Sequence, residues 1–248
     1  MMIEKYFQDK SRIALAFSGG TDSAFLLSVA MKNGCDIRPY YVNTQFQSQH
    51  EMDDAKHFAE IIGAPLKILN FDLFNIPKII QNDGDRCYHC KYAIFNLIKA
   101  AAHDDHCELV IDGTNASDDA KARPGMRALT ELEVHSPLRE CGLSKIQIRE
   151  LSYQEGLATW NKPSNSCLAT RIPTGMPIRK EALVKIERAE NYLYELGFRD
   201  FRVKVFNGDA KIQLQKTQFN KACTLRIDIL NKLSQYFDDV FLDFKCRD

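Results

Sequence analysis

Several things are scarce in this 248-residue sequence. It carries no charge excess: Lys plus Arg and Asp plus Glu both number 33. No global field therefore draws it to nucleic acid or to an anionic membrane. No apolar run approaches the roughly 20 residues of a membrane span, and the opening MMIEKYFQDK lacks the apolar core of a signal peptide. Eight cysteines are too few for a disulfide scaffold in a chain of this size. A reducing cytoplasm is the expected setting, with the thiols serving as core residues, metal ligands or nucleophiles. Internal repeats and low-complexity segments are missing as well.

What is present suits a globular protein. An apolar share of 45% with 10% aromatics is ample for a core, and the length fits one α/β domain plus a smaller second one. From residue 12 to about 136, short apolar or β-branched runs alternate with helical patterns. Strands are expected at 13–17, 37–42, 66–71 and 109–112, and helices at 24–32, 52–62, 92–102 and 144–155. Ser144 reads as an N-cap of the last and Gly156 as its stop. This alternation predicts an α/β fold, a doubly wound parallel sheet with helices on both faces. The stretch TWNKPSNSCLATRIPTGMP, 159–177, resists helix and strand alike, and loops of that length are usually functional or disordered. A small C-terminal α+β domain follows, with helices at 180–196 and 221–236 and strands at 201–206, 211–215 and 240–244. The boundary is placed inside the loop, giving domains 1–165 and 166–248.

The loop after the first strand, Ser18-Gly19-Gly20-Thr21-Asp22-Ser23, lies where ligands of such sheets bind. Its glycines let backbone N–H groups approach an anion closely, and the following helix aims its positive end at the same place. Ser18 and Ser23 add hydroxyls, and Asp22 either holds Mg²⁺ or caps the helix. A plain tight turn is the competing reading. The lysine of a Walker loop is missing, so the loop is poorly equipped for γ-phosphoryl transfer. It suits holding the β- and γ-phosphates as a unit while a nucleophile attacks the α-phosphorus.

In GDRCYHCKY, Cys87 and Cys90 are spaced to share one metal or to pair with each other. A structural zinc needs two further ligands, and no second CxxC exists. A redox dithiol lacks the expected early strand-end context. An iron–sulfur cluster completed by Cys167 is the third reading, three ligands leaving one iron open; simple packing of the thiols is the fourth. Cys167 is flanked by Ser166 and followed by Arg171, an electropositive setting for a thiolate able to attack an adenylated carboxylate. Cys35, Cys107, Cys141, Cys223 and Cys246 each stand alone and read as packing residues.

AFSGGTDS matches the SGGxDS signature of the PP-loop ATP pyrophosphatases. With DGTNASDDAKARPGMRAL, SPLRECGLSKIQIRELSYQEGL, WNKPSNSCLATRIPTG and YLYELGFRDFRVK, the sequence resembles the LarE family of ATP-dependent sacrificial sulfur transferases over almost its whole length. The resemblance implies a PP-loop (adenine nucleotide alpha hydrolase-like) domain and a small substrate or oligomerisation domain. It implies adenylation, with ATP and Mg²⁺, of a carboxylate of a small nucleotide, pyridinium-3,5-biscarboxylic acid mononucleotide, and its conversion to a thiocarboxylate for nickel-pincer cofactor synthesis. One branch of the family sacrifices a single loop cysteine, nearer the position of Ser166. In another a CxxC pair and the loop cysteine hold a [4Fe-4S] cluster, and Cys87, Cys90 and Cys167 fit that pattern. Ser18, Gly19, Gly20, Asp22 and Ser23 would grip pyrophosphate and Mg²⁺. Asp112, Gly113, Thr114 and Asn115 would border the nucleotide, with Arg123 nearby. Asp22, Cys167 and Arg171 would carry the chemistry. Glu190, Arg202 and Lys204 would face the substrate and its phosphate, the last two sharing one strand face; an ordinary solvated face is the alternative for that pair. Gln213 stands where the family often has an acidic residue. A homo-oligomer is expected and a membrane partner is not. A tRNA thiolase of the same superfamily is the runner-up, disfavoured by the balanced charge.

Overall fold

The computed structural model describes residues 2–8, 12–119, 124–164 and 166–247. They divide into two compact units, Met1–Ile79 with Gly84–Lys162, and Ile80–Asp83 with Pro163–Asp248.

The first unit is built on a four-stranded parallel sheet. Its strands are β1 (Ile13–Ala16), β2 (Ile37–Asn43), β3 (Lys67–Asn70) and β4 (Leu109–Ile111), in the order β3-β2-β1-β4. Side chains alternate across it as a two-sided sheet requires. Ile13, Leu15, Tyr41 and Ile111 pack on one face with Phe25, Leu26 and Leu27 of α2 (Thr21–Lys32) and with α3 (Gln49–Ile61) and α8 (Lys145–Gln154). Ala14, Tyr40, Val42 and Val110 pack on the other with Phe95 and Ile98 of α5 (Arg86–Asp104) and Leu129 of α6 (Pro124–Glu131). The doubly wound α/β expectation is therefore met. Short helices α1 (Met2–Phe7) and α7 (Pro137–Glu140) add Ile3, Phe7 and Leu138 to the first face, and α4 (Pro77–Ile80) is a single turn.

The chain runs outward from β1 through β2 to β3 and then crosses to β4 on the far side of β1. The carboxyl ends of β1 and β4 thus flank the point where the winding reverses, the position at which open α/β sheets bind ligands.

The second unit carries a three-stranded sheet, β5 (Arg202–Phe206), β6 (Asp209–Gln213) and β7 (Val240–Leu242), with β5 and β6 antiparallel and β6 and β7 parallel. Val203, Ala210 and Ile212 face Ala189 and Leu193 of α9 (Lys180–Glu195) and Ile229 and Leu233 of α11 (Arg226–Leu233). The single helix expected over 221–236 is instead α10 (Phe219–Thr224) and α11, broken at Leu225.

The stretch expected to be irregular has a definite architecture. Residues 173–176 close on the fully buried Asn82, whose Nδ2 donates to the carbonyls of Pro173 and Met176 at 2.8 Å each and whose own carbonyl accepts from Gly175 N. A short 3₁₀ turn, Leu168–Arg171, precedes them.

Candidate functional site

The loop after β1 is held by its own side chains. Ser18 Oγ and Ser23 Oγ are 3.1 Å apart, Ser23 Oγ donates to Gly20 O, and Gly20 N donates to Ser18 Oγ. Gly19 has φ +68°, and a Cβ on it would stand 2.8 Å from Ala55 Cβ on α3. Only glycine tolerates both demands. Gly113, after β4, is constrained by space alone: an added Cβ would lie 3.0 Å from Ser23 N. The two loops therefore touch backbone to backbone at the reversal of the sheet.

Asp22 is not a cap. The N-cap of α2 is Gly20, with no side-chain capping bond, and Asp22 sits inside the first turn. Its Oδ2 accepts from Lys145 Nζ at 2.8 Å and from Asn115 Nδ2 at 3.4 Å. Its Oδ1 is buried with no hydrogen-bond partner among the described residues. A buried carboxylate oxygen left without a donor is costly, and a hard divalent cation is what such an oxygen suits.

Asp112 is a buried organiser. Thr114 N and Ser136 Oγ donate to its Oδ1 at 3.1 and 2.7 Å, and Thr114 Oγ1 donates to its Oδ2. Lys91 Nζ, beside Cys90 on α5, lies 4.0 Å from the same carboxylate. Asn115 is buried, with its Oδ1 accepting from Ser117 N. Ser18, Gly19, Gly20, Asp22, Ser23 and 112–115 are thus brought to one edge of one sheet. Arg123 lies outside the described residues.

Sequence reasoning missed two lysines. Lys145 is the first residue of α8, whose N-terminus is fixed by a capping box between Ser144 and Gln147. Lys162 Nζ donates to Gly19 O at 3.1 Å and pairs with Asp54 at 2.7 Å. Its segment is tied to the loop by Thr21 Oγ1, which donates to Thr159 O, and to α8 by Arg149, which donates to Lys162 O. The helix expected at 144–155 carried the clue to Lys145; nothing local signalled Lys162.

Cys87 and Cys90 lie within the first turns of α5, which begins at Arg86 rather than near residue 92. At i, i+3 they share a helix face. None of the eight cysteines is joined in a disulfide. Among the described residues no group of three or more His, Cys, Asp or Glu side chains is gathered where one metal ion would bind.

In the second unit, Cys167 is the N-cap of the 3₁₀ turn. Arg171, 7% exposed, makes a two-pronged ion pair with the equally buried Glu190, Nε to Oε1 at 2.9 Å and Nη2 to Oε2 at 3.0 Å. Its Nη1 donates to Ser166 O at 2.6 Å and to Cys167 O at 3.3 Å. Glu190 Oε1 also accepts from Val203 N on β5. Arg202 and Lys204 share the β5 face opposite the core, with Lys211 and Gln213 across the ladder. Lys211 pairs with Asp243, whereas neither Arg202 nor Lys204 has an ion pair or hydrogen-bonded side-chain partner among the described residues. Burial, and then the neighbouring Arg247, pushes Arg202 below its ordinary pKa; burial, and then Arg202, does the same to Lys204. Gln213 is buried, its amide donating to Lys245 O.

No protein-family profile matches the chain. An uncharacterised protein from Synechocystis is 32% identical over 220 residues, 88% of this chain and 82% of that protein. A pyridinium-3,5-bisthiocarboxylic acid mononucleotide synthase from Lactiplantibacillus plantarum is 29% identical over 213 residues, 85% of this chain and 77% of that one. The chain belongs to the LarE family. That family lies within the PP-loop superfamily, whose fold the first unit has. A more distant superfamily member, a tRNA-5-methyluridine(54) 2-sulfurtransferase from Pyrococcus horikoshii, is 28% identical over 125 residues, 48% of this chain and 40% of that protein. The relatives are sulfurtransferases of the PP-loop superfamily, which makes this chain an enzyme.

Proposed function

We propose that this protein is an ATP-dependent sulfur transferase acting on pyridinium-3,5-biscarboxylic acid mononucleotide, in the synthesis of a nickel-pincer cofactor. The observation that carries the reading is the buried, unpartnered Oδ1 of Asp22 beside a glycine loop with no Walker lysine. Such a loop holds the leaving pyrophosphate through Ser18, Gly19, Gly20 and Ser23 while Asp22 holds Mg²⁺. The residues 112–115, and Arg123 beyond them, border the nucleotide. A substrate carboxylate oxygen attacks the α-phosphorus and pyrophosphate departs with the electron pair of the broken P–O bond. A sulfur nucleophile then attacks the acyl carbon, AMP leaves, and a thiocarboxylate results.

Arg202 and Lys204 supply the anion clamp for the substrate's phosphate, because an unpaired, partly desolvated cation pair gains most from a bound dianion. Glu190 serves that clamp through the Val203 amide and Arg171, both of which it already binds. Arg171 in turn fixes the backbone of Cys167, acting as a positioning residue more than as an activator of the thiol.

In this reading Cys87 and Cys90, on one helix face, would supply two sulfur ligands of a [4Fe-4S] cluster and Cys167 the third. When bound, the cluster supplies an open iron at which an extra sulfur is carried.

The test is direct. Protein purified without oxygen and given ATP, Mg²⁺ and the dicarboxylate is expected to release AMP and pyrophosphate in equal amounts; release of neither refutes adenylation. A tRNA substrate is disfavoured by the balance of 33 basic and 33 acidic side chains, since phosphate binding of that kind needs a basic surface. A steeply salt-dependent tRNA gel shift would reverse that judgement.

A further inference from the structure

The glycine loop lacks the lysine that phosphate loops of the Walker type carry in their own sequence, yet two ammonium groups stand against it. We infer that Lys145 and Lys162 are the cations that neutralise the β- and γ-phosphates of ATP and the pyrophosphate it releases. The inference rests on the adenylation reading above and adds to it the two residues that supply positive charge.

The placement is built rather than incidental. Both lysine side chains are largely covered, 27% and 19% exposed, whereas most lysines reach outward. Lys145 is fixed at the first position of α8 by the Ser144–Gln147 capping box. Arg149, one turn along the same face, holds the carbonyl of Lys162 at 2.9 Å. Thr21, the residue after Gly20, bonds Thr159 O at 2.7 Å and so anchors the segment bearing Lys162 to the loop itself. One helix therefore positions both cations, and the loop they serve holds the second in place.

Their present partners are stand-ins of the right kind. Lys145 Nζ binds Asp22 Oδ2, and Lys162 Nζ binds Gly19 O together with Asp54. Asp22 already has one oxygen without a donor. Once that carboxylate is engaged by a divalent cation, Lys145 is released to take a phosphate oxygen instead. Lys162 keeps Gly19 O and exchanges Asp54, whose side chain is 48% exposed and loses little by returning to water. The triphosphate of ATP brings up to about four negative charges and Mg²⁺ offsets two, so two lysines bring the loop close to balance.

The measurement is equilibrium binding, by calorimetry with Mg²⁺ present, of ATP, pyrophosphate and AMP to the full-length wild type and to Lys145→Ala, Lys162→Ala and the two lysine-to-arginine variants. AMP has no β- or γ-phosphate, so it reports the fold and the adenosine site alone. Each alanine variant is expected to lose about tenfold or more in ATP and pyrophosphate affinity, the loss of one charge-assisted contact. AMP affinity should stay within about twofold, and arginine should restore part of the loss. An unchanged ATP-to-AMP affinity ratio in both alanine variants overturns the inference. So does a parallel loss of ATP and AMP binding, which would make the lysines props of the loop's shape. A wild type that binds neither nucleotide sinks the adenylation reading together with this one. A wild type that binds ATP by way of the two lysines but releases no pyrophosphate sinks only the former.

Discussion

Gly19 bears two constraints at once, a left-handed φ of +68° and a Cβ-sized gap closed by Ala55. Gly19→Ala should therefore cost about 1–2 kcal/mol for the backbone alone, with the clash adding to it, read as a lower urea midpoint at unchanged slope. It should also weaken ATP binding, since relief of the clash moves the loop. Arg171 is the counterpart in the second unit. Arg171→Met removes the ion-pair partner of the buried Glu190, so a loss of about 3–5 kcal/mol is expected by denaturation. Glu190→Gln should be milder because a neutral amide keeps a bond to the Val203 amide. The glycine was legible in SGGTDS. The Arg171–Glu190 pair was not, because 19 residues separate partners that only the packing of α9 brings together.

At the level of elements, capping decides where a charge stands. Ser144→Ala should cost about 1 kcal/mol and, by fraying α8 at Lys145, lower ATP affinity while sparing AMP. The strand β5 trades stability for charge. Lys204 has a folded-state pKa below its ordinary value, chiefly from burial and then from Arg202. Between that depressed value and the ordinary lysine value the unfolded chain binds more protons, so stability rises with pH across the window. Lys204→Met should raise the thermal midpoint at neutral pH, flatten that rise, and weaken phosphate-monoester binding. A midpoint that falls would mean that the strand needs the charge. The strands of the first unit and the cap at Ser144 were plain in the sequence. The early start of α5 was not: GDRCYH has no apolar stripe, and the helix is recruited by packing from Phe95 onward.

For the whole molecule, two units with separate cores supply the proposed chemistry. No helix among the described residues is long and apolar enough to cross a membrane. Anaerobically purified protein is expected to be brown and to contain iron, and Cys90→Ala and Cys167→Ala should each bleach it. Iron lost from the first variant but kept in the second would remove Cys167 from the ligand set. Phe206, Phe241 and Phe244, 58%, 51% and 91% exposed, are surface an assembly would cover, and light scattering should give a mass that is a multiple of the single chain.

Short apolar strand runs, a glycine loop bound to follow the first of them, and the CxxC spacing are written in neighbouring residues, so the sequence alone determined them. The folded chain decided what lies across the loop: Lys145 and Lys162, 123 and 143 residues from Asp22 and Gly19, and Asn82 inside a segment 91 residues on. Local patterns fix a backbone conformation because their forces act within a turn or two. A charge is placed beside a distant loop only when buried cores have fixed the course of everything between.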